Sequence, residues 1–214
     1  MNLLNFNKTK KLLLKYKIPF CESYLAASKK EALKFAKKIG YPVVLKISSP
    51  DILHKTDVGG IKIGIKSENE LKRAFSEILT NVKKKKPQAK IEGILVQEQV
   101  SGKEVVVGMK RDLTFGPVLM FGLGGIFVEV LKDVVFRVIP VGKGEGLKMI
   151  KEIKGFEVLR GFRGEKPVNI GEITEIIIKL SKLSLEEGSI KEIDLNPIIV
   201  DEKRALVVDA RFLI

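Results

Sequence analysis

The sequence contains no tryptophan, and aromatic residues fill only 7% of its 214 positions. That scarcity removes the stacking platforms on which single-stranded nucleic acid is bound, and no stretch interleaves basic with aromatic residues. The single cysteine, Cys21, forbids an intrachain disulfide and cannot build a thiolate metal site, so it reads as a small core or edge residue. No apolar run reaches the roughly 18 to 20 residues that span a bilayer. The opening MNLLNFNKTKKLLLKYKIPF breaks its leucines with lysines and lacks a small-residue cleavage site, so a cytoplasmic location without a membrane partner is expected. Neither G-x-x-x-x-G-K-[ST] nor G-x-G-x-x-G opening a helix occurs, which argues against a P-loop enzyme and a Rossmann dinucleotide site. Histidine is as scarce as cysteine: His54 stands alone, in SPDILHKTDVGGIKIGI, between a strand-like run and a diglycine.

What is abundant is charge and aliphatic bulk. With 45% hydrophobic residues the chain can bury a real core, as one domain or two small lobes. Lysine and arginine number 39 against 26 aspartates and glutamates, a formal +13 that suits a polyanion such as nucleic acid, nucleotide or coenzyme A. The charge is dispersed, however. Its one dense run, Lys83 to Lys86, ends an amphipathic segment, where cations complement the helix C-terminus and stay solvated. The wealth of lysine and glutamate also fits growth at high temperature.

Helical and strand patterns alternate without an internal repeat. Ser28 and Glu31 have capping-box spacing and Gly40 supplies a stop, predicting a helix over 29–39; Ser67 and Glu70 repeat the box ahead of a helix over 68–84. YPVVLKIS and IEGILVQEQV read as strands. SGKEVVVGMKRD reads as the turn and return strand of a hairpin, followed by strands in FGPVLMFGLGG and VVFRVIP. Helices are expected over 144–153 and 171–186, and the C-terminal segment reads as a hairpin around a polar turn.

Arithmetic extends that last hairpin. A turn centred in Asp201 to Arg204 sets Val200 opposite Ala205, so paired residue numbers sum to 405 and Asn196 faces Asp209. Side chains alternate with period two, placing Glu192, Asp194 and Asn196 on one face with Asp209 and Arg211, while Ile193 and Leu195 take the other. This polar face is either an ordinary solvent-facing surface or a magnesium site. In the second case Asn196 and Asp209 supply hard oxygen ligands, leaving octahedral positions for water and phosphate oxygens. Lys46 at a strand end and Lys62 after the VGG turn offer phosphate counter-charges, with Gly59 and Gly60 allowing close backbone approach. FGLGGIF fits a tight turn between strands as readily as a ligand loop.

Taken together and in order, GYPVVLKISSPDILHKTDVGGIKIGI, the segment from ILVQEQVSGKE through VVFRVIP, VLRGFRG, and EIDLNPIIV with VVDARFLI resemble the beta subunit of ADP-forming acetyl-CoA synthetase, also called NDP-forming acyl-CoA synthetase. The chain is similar, more distantly, to the beta subunit of succinyl-CoA synthetase. The resemblance implies an α+β chain with the ATP-grasp fold, two α/β lobes clasping a nucleotide, with residues 1–95 forming the smaller lobe and 96–214 the larger. It implies ATP or ADP and Mg2+ as ligands. Lys46 and Lys62 are then nucleotide-phosphate contacts, Gln97, Glu98 and Val100 the adenine-facing hinge, Glu104 an organiser of the nucleotide site, and Asn196 and Asp209 the metal ligands.

The resemblance also implies catalytic roles. His54 carries a phosphoryl group between ADP and a second phosphohistidine on an alpha subunit, Asp194 orients a phosphohistidine, and Arg137 contacts the transferred phosphoryl group. The chain has no second histidine and no candidate CoA-binding domain, so a CoA-binding alpha subunit is expected, in an α2β2 heterotetramer without nucleic acid. The Gly59–Gly60 pair is expected to act as the hinge of the histidine loop. Two alternatives are the equivalent domain of a single-chain acyl-CoA synthetase or protein acetyltransferase, and, on charge alone, a basic nucleic-acid-binding module.

Overall fold

The structure is a computed structural model that describes residues 2–52, 54–125 and 132–214. Its chain forms two compact units, Cys21–Gln99 and Met1–Phe20 with Val100–Ile214. The first twenty residues, expected in the smaller lobe, therefore belong to the larger unit, and the chain crosses over after Gln99 rather than after residue 95. The reason is local: Leu13 is fully buried in the larger core, and Leu4 N–H donates to Phe212 O (2.9 Å) and Val207 N–H to Pro19 O (3.0 Å).

The smaller unit is a four-stranded antiparallel sheet, ordered β1 (Ser23–Ala26), β4 (Gly93–Glu98), β2 (Val43–Ser48), β3 (Ile61–Ile65). Helices α2 (Lys29–Ile39) and α3 (Glu68–Lys85) cover one face. Both start at the serines read from the sequence: Glu31 N–H donates to Ser28 Oγ (3.2 Å) and Glu70 N–H to Ser67 Oγ (3.3 Å), caps worth about 1 kcal/mol each. Their apolar stripes, including Ala32, Ala36, Leu71 and Ile78, close over Val43, Leu45, Ile47, Ile94 and Val96. Alternate β2 residues Val44, Lys46 and Ser48 consequently leave the sheet on the other face.

The larger unit is an antiparallel sheet ordered β10 (Ala210–Leu213), β8 (Glu192–Val200), β5 (Lys103–Asp112), β6 (Gly116–Leu123), β7 (Val134–Val138), with β9 (Ala205–Val207) also on β8. α1 (Phe6–Lys15) packs by β10. α4 (Lys143–Glu152) and α6 (Ile170–Glu186) pack together on one face, with the short α5 (Phe156–Arg160) beside α4. Val107, Met109, Leu119, Phe121, Ile193 and Leu195 meet those helices in one core. The opposite face carries their alternates.

One expected pairing is absent. β4 and β5 do not form a hairpin: β4 is flanked by β1 and β2, and β5 by β6 and β8, so neither has an edge left for the other. The link carries the chain from one sheet to another. Gly102 permits the arrival, since a Cβ there would sit 2.4 Å from Val200 O.

Candidate functional site

The C-terminal hairpin keeps its arithmetic. Val200 pairs with Ala205 and Ile198 with Val207, and after a break at Val208–Asp209 the same sum returns in Leu195 with Ala210 and Asp194 with Arg211. The break divides the return strand into β9 and β10, and it falls opposite Asn196–Pro197, where proline has no N–H to give the ladder. Val208 N–H donates to Pro197 O (2.9 Å) and Asn196 N–H to Asp209 O (3.1 Å), so Asn196 and Asp209 stand opposite one another. Asp209 Oδ1 accepts from Ala210 N–H (3.1 Å), which orients the carboxylate. On the adjoining register position Arg211 Nη2 lies 3.1 Å from Asp194 Oδ2.

Asn196 and Asp209 fit a magnesium ion that completes its shell with water and phosphate. They are hard oxygen donors, and among the described residues no three His, Cys, Asp or Glu side chains cluster into a protein cage. Glu104, exposed at the start of β5, lies against the glycine-rich turn: Gly124 N–H donates to its carbonyl (2.8 Å), and a Cβ on Gly124 would come within 2.8 Å of Glu104 Cβ. The rest of that turn, residues 126–131, lies outside the described residues.

In the smaller unit Lys46 is buried, on the face of β2 turned away from the helices. Gln97 is on the same face and buried, its Nε2 donating to Ser23 Oγ (2.8 Å), which in turn donates to Cys21 O (3.0 Å). Glu98 lies opposite Val43 on the helix-facing side, and Val100 begins the passage into the larger unit. Burial pushes the Cys21 thiol up to about 11; the Ser23 hydrogen bond and the Lys46 charge oppose the shift without cancelling it.

His54 is exposed on the loop joining β2 to β3. That loop is pinned at both ends by Ile52 and Val58, which are buried in the core beneath the sheet. Asp51 Oδ2 accepts from Lys90 N–H (2.7 Å), and Lys85 Nζ donates to Asp57 O (2.6 Å), tying the loop to the end of α3 and beyond. The Gly59–Gly60 pair is not the expected free hinge. Gly59 takes a left-handed φ of 64° against Asn81, and a Cβ on Gly60 would meet Ile47 Cγ2 at 2.5 Å, so the pair closes a packed turn.

Two expected phosphate contacts, Lys62 and Arg137, make ion pairs on helix-covered faces. Lys62 pairs in register with Leu45, a core residue, so it leaves the sheet on the helix-covered face, opposite to Lys46. There its Nζ lies 2.6 Å from Glu77 Oε2 of α3, and that hydrogen bond holds the Glu77 carboxyl below the usual carboxylate range. Arg137 pairs with Leu119, again a core position, and its guanidinium binds Glu152 and, at 2.6 Å, Glu145 on α4. Asp194 and Asn196 occupy the other face of that sheet. Arg137 is therefore a strand-to-helix clamp, and period-two alternation from Leu119 explains why it cannot share their face.

Residues 1–214 match the ATP-grasp domain family. The acetate–CoA ligase (ADP-forming) I subunit beta of Pyrococcus furiosus is 51% identical over 208 residues, 97% of this chain and 90% of that one. The chain is an ATP-grasp protein of the ADP-forming acetate–CoA ligase beta-subunit family. In Archaeoglobus fulgidus an acetate–CoA ligase (ADP-forming) I is 50% identical over 92% of this chain, which there spans 30% of a much longer polypeptide. Among solved structures, a chain of the Candidatus Korarchaeum cryptofilum dinucleotide-forming acetyl-coenzyme A synthetase 1, in complex with coenzyme A, Ca-AMPCP and HgCl+, superposes with a TM-score of 0.97 at 46% identity, covering 100% of this chain and 93% of that one. The same protein with coenzyme A and Mg-AMPPCP, its phosphohistidine segment pointing towards the nucleotide binding site, gives 0.85 at 42% identity, covering 99% and 92%.

Membership of this beta-subunit family leaves some site features that residue types alone did not disclose. Glu77 as the partner of Lys62 and Ser23 as the partner of Gln97 depend on which strands are neighbours. The Ser23 link had a signal in the short polar CES stretch entering β1, but its partner is 74 residues away in sequence. No described helix of this ATP-grasp chain is long and apolar enough to cross a membrane.

Proposed function

We propose that this chain is the nucleotide-binding beta subunit of an ADP-forming acetyl-CoA or acyl-CoA synthetase, working with a CoA-binding alpha subunit. The overall reaction converts acyl-CoA, ADP and phosphate to the acid, ATP and CoA. The observation that carries this reading is the exposed, solitary imidazole of His54 on a loop pinned at both ends, in a chain whose relatives are named as such ligases.

His54 is the phosphoryl carrier. A neutral ring nitrogen attacks phosphorus of the partner's phosphohistidine, whose other ring nitrogen carries a proton; the new N–P bond forms as the old one breaks, the partner's imidazole leaves neutral with that proton, and His54 keeps the proton on its own second nitrogen. In the second half an oxygen of the ADP β-phosphate attacks the same phosphorus, the N–P bond to His54 breaks, and ATP is released. The loop between Ile52 and Val58 is the moving part, since its flanks are held in the core.

Lys46 supplies positive charge to the nucleotide phosphates, Gln97, Glu98 and Val100 line the adenine side, and Glu104 with its glycine turn organises the same site. Asp194, held by Arg211, orients the imidazole in one of its positions. Magnesium, when bound, neutralises charge on the phosphate oxygens, and Asn196 and Asp209 would hold it. Lys62 and Arg137 take structural ion pairs instead. An α2β2 assembly and a cytoplasmic location accompany this reading.

Reconstitution tests it. The isolated chain should bind ADP in a magnesium-dependent way and form no ATP from acyl-CoA; adding the cognate alpha subunit should start ATP formation. Turnover by the isolated chain, or tight DNA binding at physiological salt without nucleotide binding, would contradict it.

A further inference from the structure

The face of the larger sheet that carries Asp194 does not stay polar. A single cross-strand row runs from Asp194 on β8 through Gly108 on β5 and Met120 on β6 to Phe136 on β7. The neighbouring row pairs Val118 with Val138. An antiparallel sheet with one wet face normally alternates apolar inward and polar outward. The C-terminal half of β7 departs from this: Val135 packs on the core, but Arg137 on the same face is charged, while Phe136 and Val138 are 55% and 52% exposed. Phe115, in the β5–β6 turn, is 65% exposed beside them. Phe115, Val118, Met120 and Phe136 form the apolar wall of a groove of about 560 Å3, which Lys110, Asp112, Glu192 and Asp194 also line, and Val138 stands next to it as the cross-strand partner of Val118. Gly108 keeps its floor open, because a Cβ there would already contact Met120 Cε at 3.5 Å. Leu113 in the same β5–β6 turn is exposed as well, whereas Leu14 and Leu185 lie on helices α1 and α6.

We propose that this apolar groove is the docking surface for the CoA-binding alpha subunit, which inserts an apolar segment alongside Phe136 and Val138 and so brings its phosphohistidine to Asp194. The proposal rests on the functional reading above and specifies its partner contact. Two observations favour this occupant. The same domain occurs in relatives both as a separate beta subunit and as 30% of one longer polypeptide, so the separate form must hold the remainder through its own surface. The groove is also continuous with Asp194, the residue assigned to a group that the partner presents. Contiguous exposed apolar surface of this kind marks interaction sites, and aromatic anchors in such grooves dominate binding.

The test is binding of the cognate alpha subunit to wild-type chain, Phe136→Lys, Val138→Lys and the milder Phe136→Thr, which keeps strand propensity. Both lysine variants should weaken alpha binding by about 100-fold, the scale of a lost hot spot, and Phe136→Thr by less. Magnesium–ADP affinity and the thermal midpoint of the isolated chain should stay at wild-type values, and Leu185→Lys, remote in the chain, should bind alpha normally. Properly folded Phe136 and Val138 variants that bind alpha as well as wild type overturn the proposal. So does a wild-type homodimer that these variants dissolve while alpha binding is unchanged, since the groove then belongs to a second copy. If wild type binds ADP but no alpha subunit, the functional reading itself falls, and the assigned occupant with it.

Discussion

Arg211 Nη2 lies 3.1 Å from Asp194 Oδ2, across the β8–β10 ladder at a register position that the sum of paired numbers specifies. The role proposed for Asp194, orienting an imidazole, requires a carboxylate that is itself held, and this guanidinium holds it. Both side chains are about one-third exposed, 31% and 30%, so the pair contributes only about 0.5 kcal/mol to stability. Arg211→Ala should therefore leave unfolding nearly unchanged while slowing ATP formation by the assembled enzyme by about ten-fold, or about 1.4 kcal/mol. Arg211→Lys should recover part of the loss, since an ammonium keeps the charge without the planar fork. Equal slowing by both substitutions would show that charge alone is not what Asp194 needs.

Asp209→Asn keeps shape and removes charge from the proposed magnesium pair, Asn196 and Asp209. The magnesium concentration giving half-maximal ADP binding should rise about ten-fold, with the fold intact by circular dichroism. Asn196→Ala should act in the same direction. Titration calorimetry of ADP at several magnesium concentrations measures it, and unchanged midpoints in both variants would reduce the polar face to surface.

Arg137→Gln separates clamp from catalyst. Loss of the contacts to Glu152 and Glu145 should lower the thermal midpoint. Glu145 is held below the usual carboxylate range by the Arg137 hydrogen bond, so its contribution to stability is present at neutral pH and lost as pH falls through its lowered value. Wild type should lose that increment on acidification and the variant should lack it throughout, while turnover at a permissive temperature stays within about two-fold. A large fall in turnover without destabilisation would return Arg137 to the phosphoryl site.

Cys21 should be chemically silent in the native chain. With its thiol pushed up to about 11 by burial, roughly one molecule in a thousand carries thiolate at pH 8. A disulfide reagent should therefore label Cys21 at the rate of unfolding and promptly in denaturant. Because the folded value lies above the unfolded one, the associated stability is present below the unfolded thiol range and is lost as pH rises through about 11. Prompt native labelling would mean that the Cys21–Ser23–Gln97 region opens.

Local chemistry was legible where it acts over a few residues. The serine caps placed α2 and α3, and alternation with a polar turn placed Asn196 opposite Asp209. Long-range choices were not. The four-residue link between β4 and β5 looks like a hairpin turn because sequence shows strands but not their neighbours; only the occupied edges of both strands show that they part. The faces that Arg137 and Lys62 occupy are hidden from sequence for a related reason. Each sits on a strand of otherwise apolar residues, so alternation alone does not say which face is covered by a helix. The N-terminal helix joins a sheet formed almost two hundred residues later, which no local pattern signals.

The central claim is that His54 carries the phosphoryl group. The most direct measurement is incubation of the assembled enzyme with γ-labelled ATP and magnesium, followed by mapping of acid-labile, base-stable label on this chain. Label at His54 in wild type, its absence in His54→Ala, and loss of ATP formation in that variant with ADP binding and alpha assembly retained are the predicted results. No label at His54 in wild type, or ATP formation by His54→Ala at a comparable rate, would contradict the account.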